Sequence, residues 1–463
     1  MRIINRFIPI FIIVCAFQLP IAPVSAAARP EYLRQTGFSI PVVKRDSLLN
    51  GLSLMLIESP SIDGLRLHLR VNSGALFDLA GKGGLADFTA GMLLKGGGGL
   101  AAKNIEEIVE HYGIRISIKV TWDSTDVVMI SSSNDIEAML DLCARLVVSP
   151  SFEQAEFDAF KRNRVESLKK GPPAAPEVLK ERALAVLFGA YPFGHPEGGT
   201  AESLSKIERT DLSYYHDRFY LANNSELLIT GNTTLEEIVR ISRAKLGAWK
   251  KGAIVPATFR TPEPPADLKL IVSDSPGAAA QAVVAQIGFS RRVPDYLAAA
   301  VMIEALAASN KQAAVSFGSE VSVHTEAEAR YLAGPILTSV QAPPDKLAAA
   351  MDAILKNLRT FKNGQLDSQA IESAKQRVLD SFLRGVQSAA GVEDALLDIE
   401  LYGLGRDYLL HFEERVNAVT PADCVKSAQK YVAPASSVLA AAGAVREIEP
   451  ALKKLLTGGS ALH

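Results

Sequence analysis

The sequence predicts an α+β protein made of two duplicated halves, each a largely antiparallel sheet with helices packed on one face. Three observations predict it. Segments that read as strands follow one another directly, which favours an antiparallel sheet with helices segregated to one side. At 463 residues and 48% hydrophobic content, the chain is too long for one ordinary core. A local pattern also recurs: Phe219-Tyr220-Leu221-Ala222 precedes an apolar run ending at Gly231, and Lys430-Tyr431-Val432-Ala433 precedes one ending at Gly443. A helical pattern follows each, and the tyrosine-to-glycine spacings are 11 and 12.

The elements fall in order from these signals. Residues 1–26 read as a secretory signal peptide: Arg2 and Arg6 start it, 7–14 is apolar, and Val24-Ser25-Ala26 offers a small-residue cleavage point. Pro20 and Pro23 interrupt the apolar run short of a membrane span, and no later segment is long enough to be one. The expectation is a periplasmic or secreted protein with no membrane contact after signal removal. Lys plus Arg (49) nearly balances Asp plus Glu (51), so no basic field points to nucleic acid. Cys15 leaves with the signal segment; Cys143 and Cys424 sit in amphipathic helical patterns and read as free, buried thiols.

A first domain is assigned to 40–249. Residues 54–58 and the strictly alternating 65–71 read as strands, the latter with one buried and one wetter face. His68 lies on the wetter side and reads as a solvated or hydrogen-bonded histidine. Strands at 114–120 and 127–131 follow, then helices at 135–146, 154–170 and 177–188, with Pro172-Pro173 separating the last two. A strand at 225–230 and a helix at 235–246 close the half. The proline-rich stretch 250–266 is the linker. In the second domain, 267–458, the order repeats: strands at 268–272 and 282–289, a helix at 296–308, strands near 315–323 and 332–340, and helices at 345–361 and 368–387.

The stretch Gly83-Gly84-Leu85-Ala86-Asp87-Phe88-Thr89-Ala90-Gly91-Met92-Leu93-Leu94-Lys95 reads as a helix with an apolar face at Leu85, Phe88 and Met92, stopped by Gly96, Gly97, Gly98 and Gly99. It resembles the inverted zinc-binding helix of the pitrilysin/insulinase metallopeptidases, G-L-x-H-x-x-E-H-M-L-x-K-G. The frame is kept and the ligands are not: Asp87 stands at the first His position, Ala90 at the Glu and Gly91 at the second His. A second resemblance lies in Tyr191-Pro192-Phe193-Gly194-His195-Pro196 followed by Gly199-Thr200-Ala201-Glu202-Ser203-Leu204, similar to the family's P-Y/F-G-H-P and G-T-x-E-S-I segments. The resemblance makes His195 a structural loop residue. It implies two similar halves closing over a peptide like a clamshell, and a third ligand position at Glu177, with Glu181 second.

None of the seven histidines has a histidine neighbour two to four residues away. Two carboxylates without imidazole or thiolate partners do not hold zinc well, and the family's hydrolysis needs metal-activated water plus a carboxylate base. The chain also lacks a G-x-S-x-G elbow, a phosphate loop and a C-x-x-C pair. The resemblance is therefore to a non-catalytic member, like the inactive subunit of bacterial heterodimeric peptidases and of the mitochondrial processing peptidase. It implies no cofactor in this chain, zinc in a paralogous H-x-x-E-H partner, and peptide substrates. A stand-alone peptide-binding or scaffold role is the alternative. The inactive bacterial chain lends an Arg and a Tyr from R-G-L-A-Y; here Ala313 and Phe317 occupy those places, with Arg330-Tyr331 nearby in a shifted register. Gly96 to Gly99, Phe317, Arg330 and Tyr331 are the candidate peptide contacts. Simple ligand loss would let Asp87→His, Ala90→Glu and Gly91→His together regain zinc through Glu177.

Overall fold

The computed structural model describes residues 41–457 apart from 61–63, 133–134, 171–174, 276 and 278. The signal segment 1–26 lies outside the described residues. In the first half, strands β1 (Val43–Ser47), β2 (Ser53–Glu58) and β3 (Leu65–Val71) lead to helix α1 (Leu85–Met92), the small hairpin β4 (Gly96–Gly97) and β5 (Leu100–Ala101), and α2 (Ala102–His111). Strands β6 (Ile114–Val120) and β7 (Thr125–Ser131) follow. Next come α3 (Ile136–Val148), α4 (Gln154–Lys170), α5 (Ala175–Phe188), α6 (Ala201–Ser205), α7 (Arg209–Phe219), β8 (Ser225–Gly231) and α8 (Leu235–Leu246). No helix or strand is assigned to 250–266.

The second half comprises β9 (Lys269–Asp274), β10 (Ala280–Ile287), α9 (Tyr296–Val315), β11 (Ser322–Ala327), β12 (Pro335–Ala342), α10 (Pro344–Lys362) and α11 (Ser368–Gly385). Helices α12 (Ala389–Tyr402), α13 (Phe412–Asn417) and α14 (Pro421–Tyr431), strand β13 (Val438–Gly443) and α15 (Val445–Thr457) complete it. The strand expected near 315–323 is corrected. The alanine-rich helix α9 runs on to Val315, and the strand starts only at Ser322. Val315 and Val321 carry a β-branched signal, but Ala313 and Ala314 are strong helix formers.

The sheets show the duplication in hydrogen bonds. The first has the order β1-β2-β8-β3-β7-β6, the second β11-β12-β10-β13-β9. In each, one pairing is parallel, β2 with β8 and β9 with β13, and the rest are antiparallel. Read from β2 and from β9, the two orders coincide; β1 is an addition to the first.

One face of each sheet is covered by helices of its own half. Leu65, Leu67, Leu69 and Val71 of β3 pack with Leu85, Phe88 and Met92 of α1, Leu142 of α3 and Tyr215 of α7, all within 3% exposure. Each such side chain contributes roughly 1.5–3 kcal/mol on burial. The opposite faces are covered by exchange. Helix α5 lays Leu179, Ala183 and Leu187 against Val283, Ala285, Val438 and Ala440 of the second sheet. Its counterpart α12 returns over the first sheet, where Glu393 meets Arg66 and Thr230. The wetter face expected for β3 is therefore corrected: His68 is 2% and Arg70 5% exposed, because α12 covers them.

Among the described residues no helix is long and apolar enough to cross a membrane. Cys143 and Cys424 are free and buried, and burial pushes their thiols up to about 12 and about 11. The thiolate is the reactive form, so neither is expected to alkylate with iodoacetamide at pH 8 in the native protein. Both are expected to react in denaturant, as read by intact mass.

Candidate functional site

The helix α1 is set in place by backbone contacts that only glycine allows. Gly84 sits at φ +90, and the Asp78 carboxylate accepts hydrogen bonds from the amides of Gly84 (2.6 Å) and Ala86 (2.8 Å), capping the helix. The segment that follows His195 docks there. A Cβ on Gly199, at φ +71, would lie 2.1 Å from the Gly83 carbonyl oxygen, and one on Gly84 2.6 Å from that of Gly198. Ser203 Oγ donates to the Gly83 carbonyl at 2.7 Å. His195 packs on Gly83, lies 5.2 Å from the Trp122 ring and meets the Pro196 carbonyl at 2.9 Å through Nδ1. Burial lowers its pKa below the ordinary imidazole value. The two sequence segments are thus one structural joint. Gly199→Ala is expected to destabilise the protein by about 1–3 kcal/mol from backbone strain alone, measured by urea unfolding.

At the ligand positions, the helix faces α4. Asp87 is ion-paired with Arg164, Ala90 is 2% exposed, and a Cβ on Gly91 would fall 2.5 Å from Phe160 Cζ. Phe160 is itself packed edge-on against Phe88 at 4.8 Å. Glu177 lies exposed in the first turn of α5, beside Glu181, whose pKa is raised by burial and by the Glu177 charge. No group of three or more His, Cys, Asp or Glu among the described residues is placed to hold a metal ion. The residues present do not fit zinc: one carboxylate is neutralised by a guanidinium, and an aromatic ring fills the space beside the missing imidazole.

The glycine run is pinned against α3. Gly98 donates to the Ser149 carbonyl (2.8 Å) and accepts from Arg145 Nη1 (2.9 Å), while a Cβ on Gly97 would meet the Arg145 carbonyl at 2.3 Å. Gly96 pairs with Ala101, and Gly99 is exposed. Phe317 lies just past the end of α9, its carbonyl accepting from Lys346 at 2.9 Å. Arg330 and Tyr331 lie beside the start of that helix, where the Arg291 amide donates to the Arg330 carbonyl at 2.7 Å. The 20-residue helix puts roughly 30 Å between its two ends. The structure does not bring Phe317 together with Arg330 and Tyr331.

What it does bring together is a charged layer between the halves. His68 Nε2 meets Asp126 Oδ1 at 2.8 Å, and Arg70 donates to Asp126 (2.6 Å) and to Asp398 of α12 (2.7 Å). Glu393, fully buried, pairs with Arg66 and accepts from Thr230 Oγ1 at 2.8 Å. His68 Nδ1 lies 3.7 Å from Glu393 and has no hydrogen-bond partner. Burial alone would lower the His68 pKa, but the Asp126 and Glu393 carboxylates outweigh it and raise it. Burial likewise opposes ionisation of Asp126, yet His68 and Arg70 hold it down at about 2.

Beside this layer is a cavity of about 360 Å³ onto which Ser117 and Lys119 of β6 and Arg330 and Tyr402 open. Asp123 at its wall accepts from the Tyr331 amide (2.8 Å) and Tyr402 hydroxyl (2.9 Å), and Arg330 reaches Glu328 (2.8 Å) and Glu197 (3.5 Å). Sequence reasoning missed Arg66, Arg70, Asp126, Glu393 and Asp398. The available signal was three basic side chains on one face of a strand, Arg66, His68 and Arg70, matched by Glu393, Asp394 and Asp398 on a later helix.

A duplicated sheet-and-helix body whose helix α1 keeps the frame of a zinc-binding helix defines a class, that of two peptidase-like halves. The model described as "Insulinase (Peptidase family M16)" matches residues 54–196, and "Peptidase M16 inactive domain" matches 206–378. The chain belongs to the insulinase, or M16, peptidase family. It is 24% identical over 281 residues to a probable mitochondrial-processing peptidase subunit beta of Arabidopsis thaliana, covering 59% of this chain and 52% of that one. The chain spans about half the length of the curated relatives it matches. The fold matches a peptidase M16 inactive domain from Pseudomonas fluorescens, with TM-score 0.77 at 19% identity over 87% of this chain and 98% of that one. It also matches the periplasmic protease PqqL from Escherichia coli, with TM-score 0.73 at 14% identity over 90% and 50%.

Proposed function

We propose that this chain is a catalytically silent M16 homologue that binds peptide in its inter-half chamber and completes the chamber of an H-x-x-E-H-bearing paralogue. The observation that carries the reading is the Asp87–Arg164 ion pair beside Phe160, which occupies the ground a zinc site would need. Strand β6 supports the peptide part. It ends the first sheet, no described strand pairs its outer edge, and its side chains line the cavity, the arrangement in which an extended peptide adds as a further strand. The relative named as a subunit supports a paralogous partner, and the signal-like start supports a periplasmic or secreted location.

The test is affinity capture of the mature protein from its native compartment. A one-to-one partner carrying H-x-x-E-H is the expected result. Recovery of the chain alone would favour the stand-alone binding role, which the separation of Phe317 from Arg330 and Tyr331 already supports. Stoichiometric zinc in the purified chain would overturn both readings.

A further inference from the structure

A second cavity, of about 670 Å³, lies in the C-terminal half between the start of α9, the segment after α12, and helices α13 and α14. Its volume is that of a small-molecule site. Part of its wall is apolar, with Val293, Leu297, Leu404 and Val419. The rest is cationic. The Arg291 guanidinium carbon lies over the Tyr296 ring at 3.8 Å from its centroid and 5.5 Å from that of Tyr408. Its Nη1 donates to the Tyr408 hydroxyl at 3.3 Å, and no carboxylate of the described residues pairs with it. Lys426 and Arg415, the latter paired with Asp407 at 3.2 Å, stand on the same cavity.

The two acids on the wall are already engaged. Asp295 accepts from Lys430 (3.0 Å) and from the Tyr431 hydroxyl (2.9 Å), and Asp423 accepts from the Thr420 amide (3.1 Å) and hydroxyl (2.6 Å). An independent sign comes from Ser427. It is 1% exposed, lines the cavity, and its hydroxyl has no hydrogen-bond partner. A buried hydroxyl without a partner is destabilising, and a ligand oxygen would offset that loss.

We propose that this cavity is a binding site for a small organic carboxylate. Arg291 supplies the guanidinium fork, positioned by the two tyrosines. Arg415 and Lys426 add positive potential, Ser427 donates a hydrogen bond, and the apolar wall takes the body of the molecule. A free organic acid and the C-terminus of a short peptide share this chemistry.

The experiment is calorimetric titration of the full chain with N-acetyl-Leu-Phe, with its C-terminal amide, with phenylacetate and with inorganic phosphate. At least one of the two carboxylates is expected to bind, the amide at least tenfold more weakly than its acid. Arg291→Gln should lose at least tenfold and Ser427→Ala several-fold. Tighter binding of the dipeptide acid points to peptide ends, and equal or tighter binding of phenylacetate to free organic acids. If Arg291→Gln does not fold, the variant Arg415→Gln with Lys426→Gln must still weaken binding. No heat at millimolar ligand, equal binding of acid and amide, phosphate binding as tightly as the carboxylates, or full affinity in these variants would overturn the assignment.

Discussion

Replacing Arg70 with methionine is expected to lower the unfolding free energy by about 3–5 kcal/mol, a large share of the net stability of an ordinary domain. The residue is 5% exposed and is held by Asp126 and Asp398, so its loss leaves the buried Asp126 carboxylate with His68 and the neutral Ser124 hydroxyl as its hydrogen-bond partners. Urea unfolding measures the loss. Adding Asp126→Asn should recover part of it, because the uncompensated charge rather than the missing contact carries most of the cost; a double variant worse than the sum would sink that account.

The same layer contributes to the pH response, beside Asp78 and Glu226, whose carboxyls burial pushes up to about 8 and about 7. Asp126, lowered from 3.8 to about 2, contributes stability that is present above 3.8 and lost as the pH falls through about 2. His68, raised above 6.5, contributes stability that is full below 6.5 and lost as the pH rises through its folded value. The thermal midpoint should fall on the alkaline side, and His68→Gln should flatten that limb.

The combined replacement Asp87→His, Ala90→Glu and Gly91→His is expected to purify without stoichiometric zinc, against the recovery that simple ligand loss would allow. An imidazole at position 91 starts from a Cβ 2.5 Å from Phe160 Cζ, and a histidine at 87 leaves Arg164 without its carboxylate. Overpacking of this kind costs about 1–3 kcal/mol. Adding Phe160→Ala clears the obstruction. Zinc in the fourfold variant and not in the threefold one, by elemental analysis, would identify the ring as the barrier. Zinc in the threefold variant would show that the ring moves aside.

The duplication was legible because it rests on local periodicity. Alternation at Leu65, Leu67 and Leu69 fixes β3, and the tyrosine-to-glycine spacing marks the equivalent ends of the halves. The resemblance of α1 to a zinc-binding helix was legible because its frame is contiguous in sequence. The sealing of that site was not, since Arg164 and Phe160 lie on a helix some seventy residues away. Arg66, His68 and Arg70 misled for a related reason: polar side chains on alternate strand positions normally face water, and only a helix from the other half buries them. The helix α12 was missed, and with it Glu393 and Asp398, which join Asp126 as the acids of the layer.

The exchange of α5 and α12 gives the connecting segment 250–266 a modest role. Each half carries the lid of the other, so the two are clasped by their own interleaving, and the segment is a tether whose covalent continuity adds little. Nicking it should leave a complex that elutes undivided. A chain begun at the second half and ended with the first should assemble into the same body.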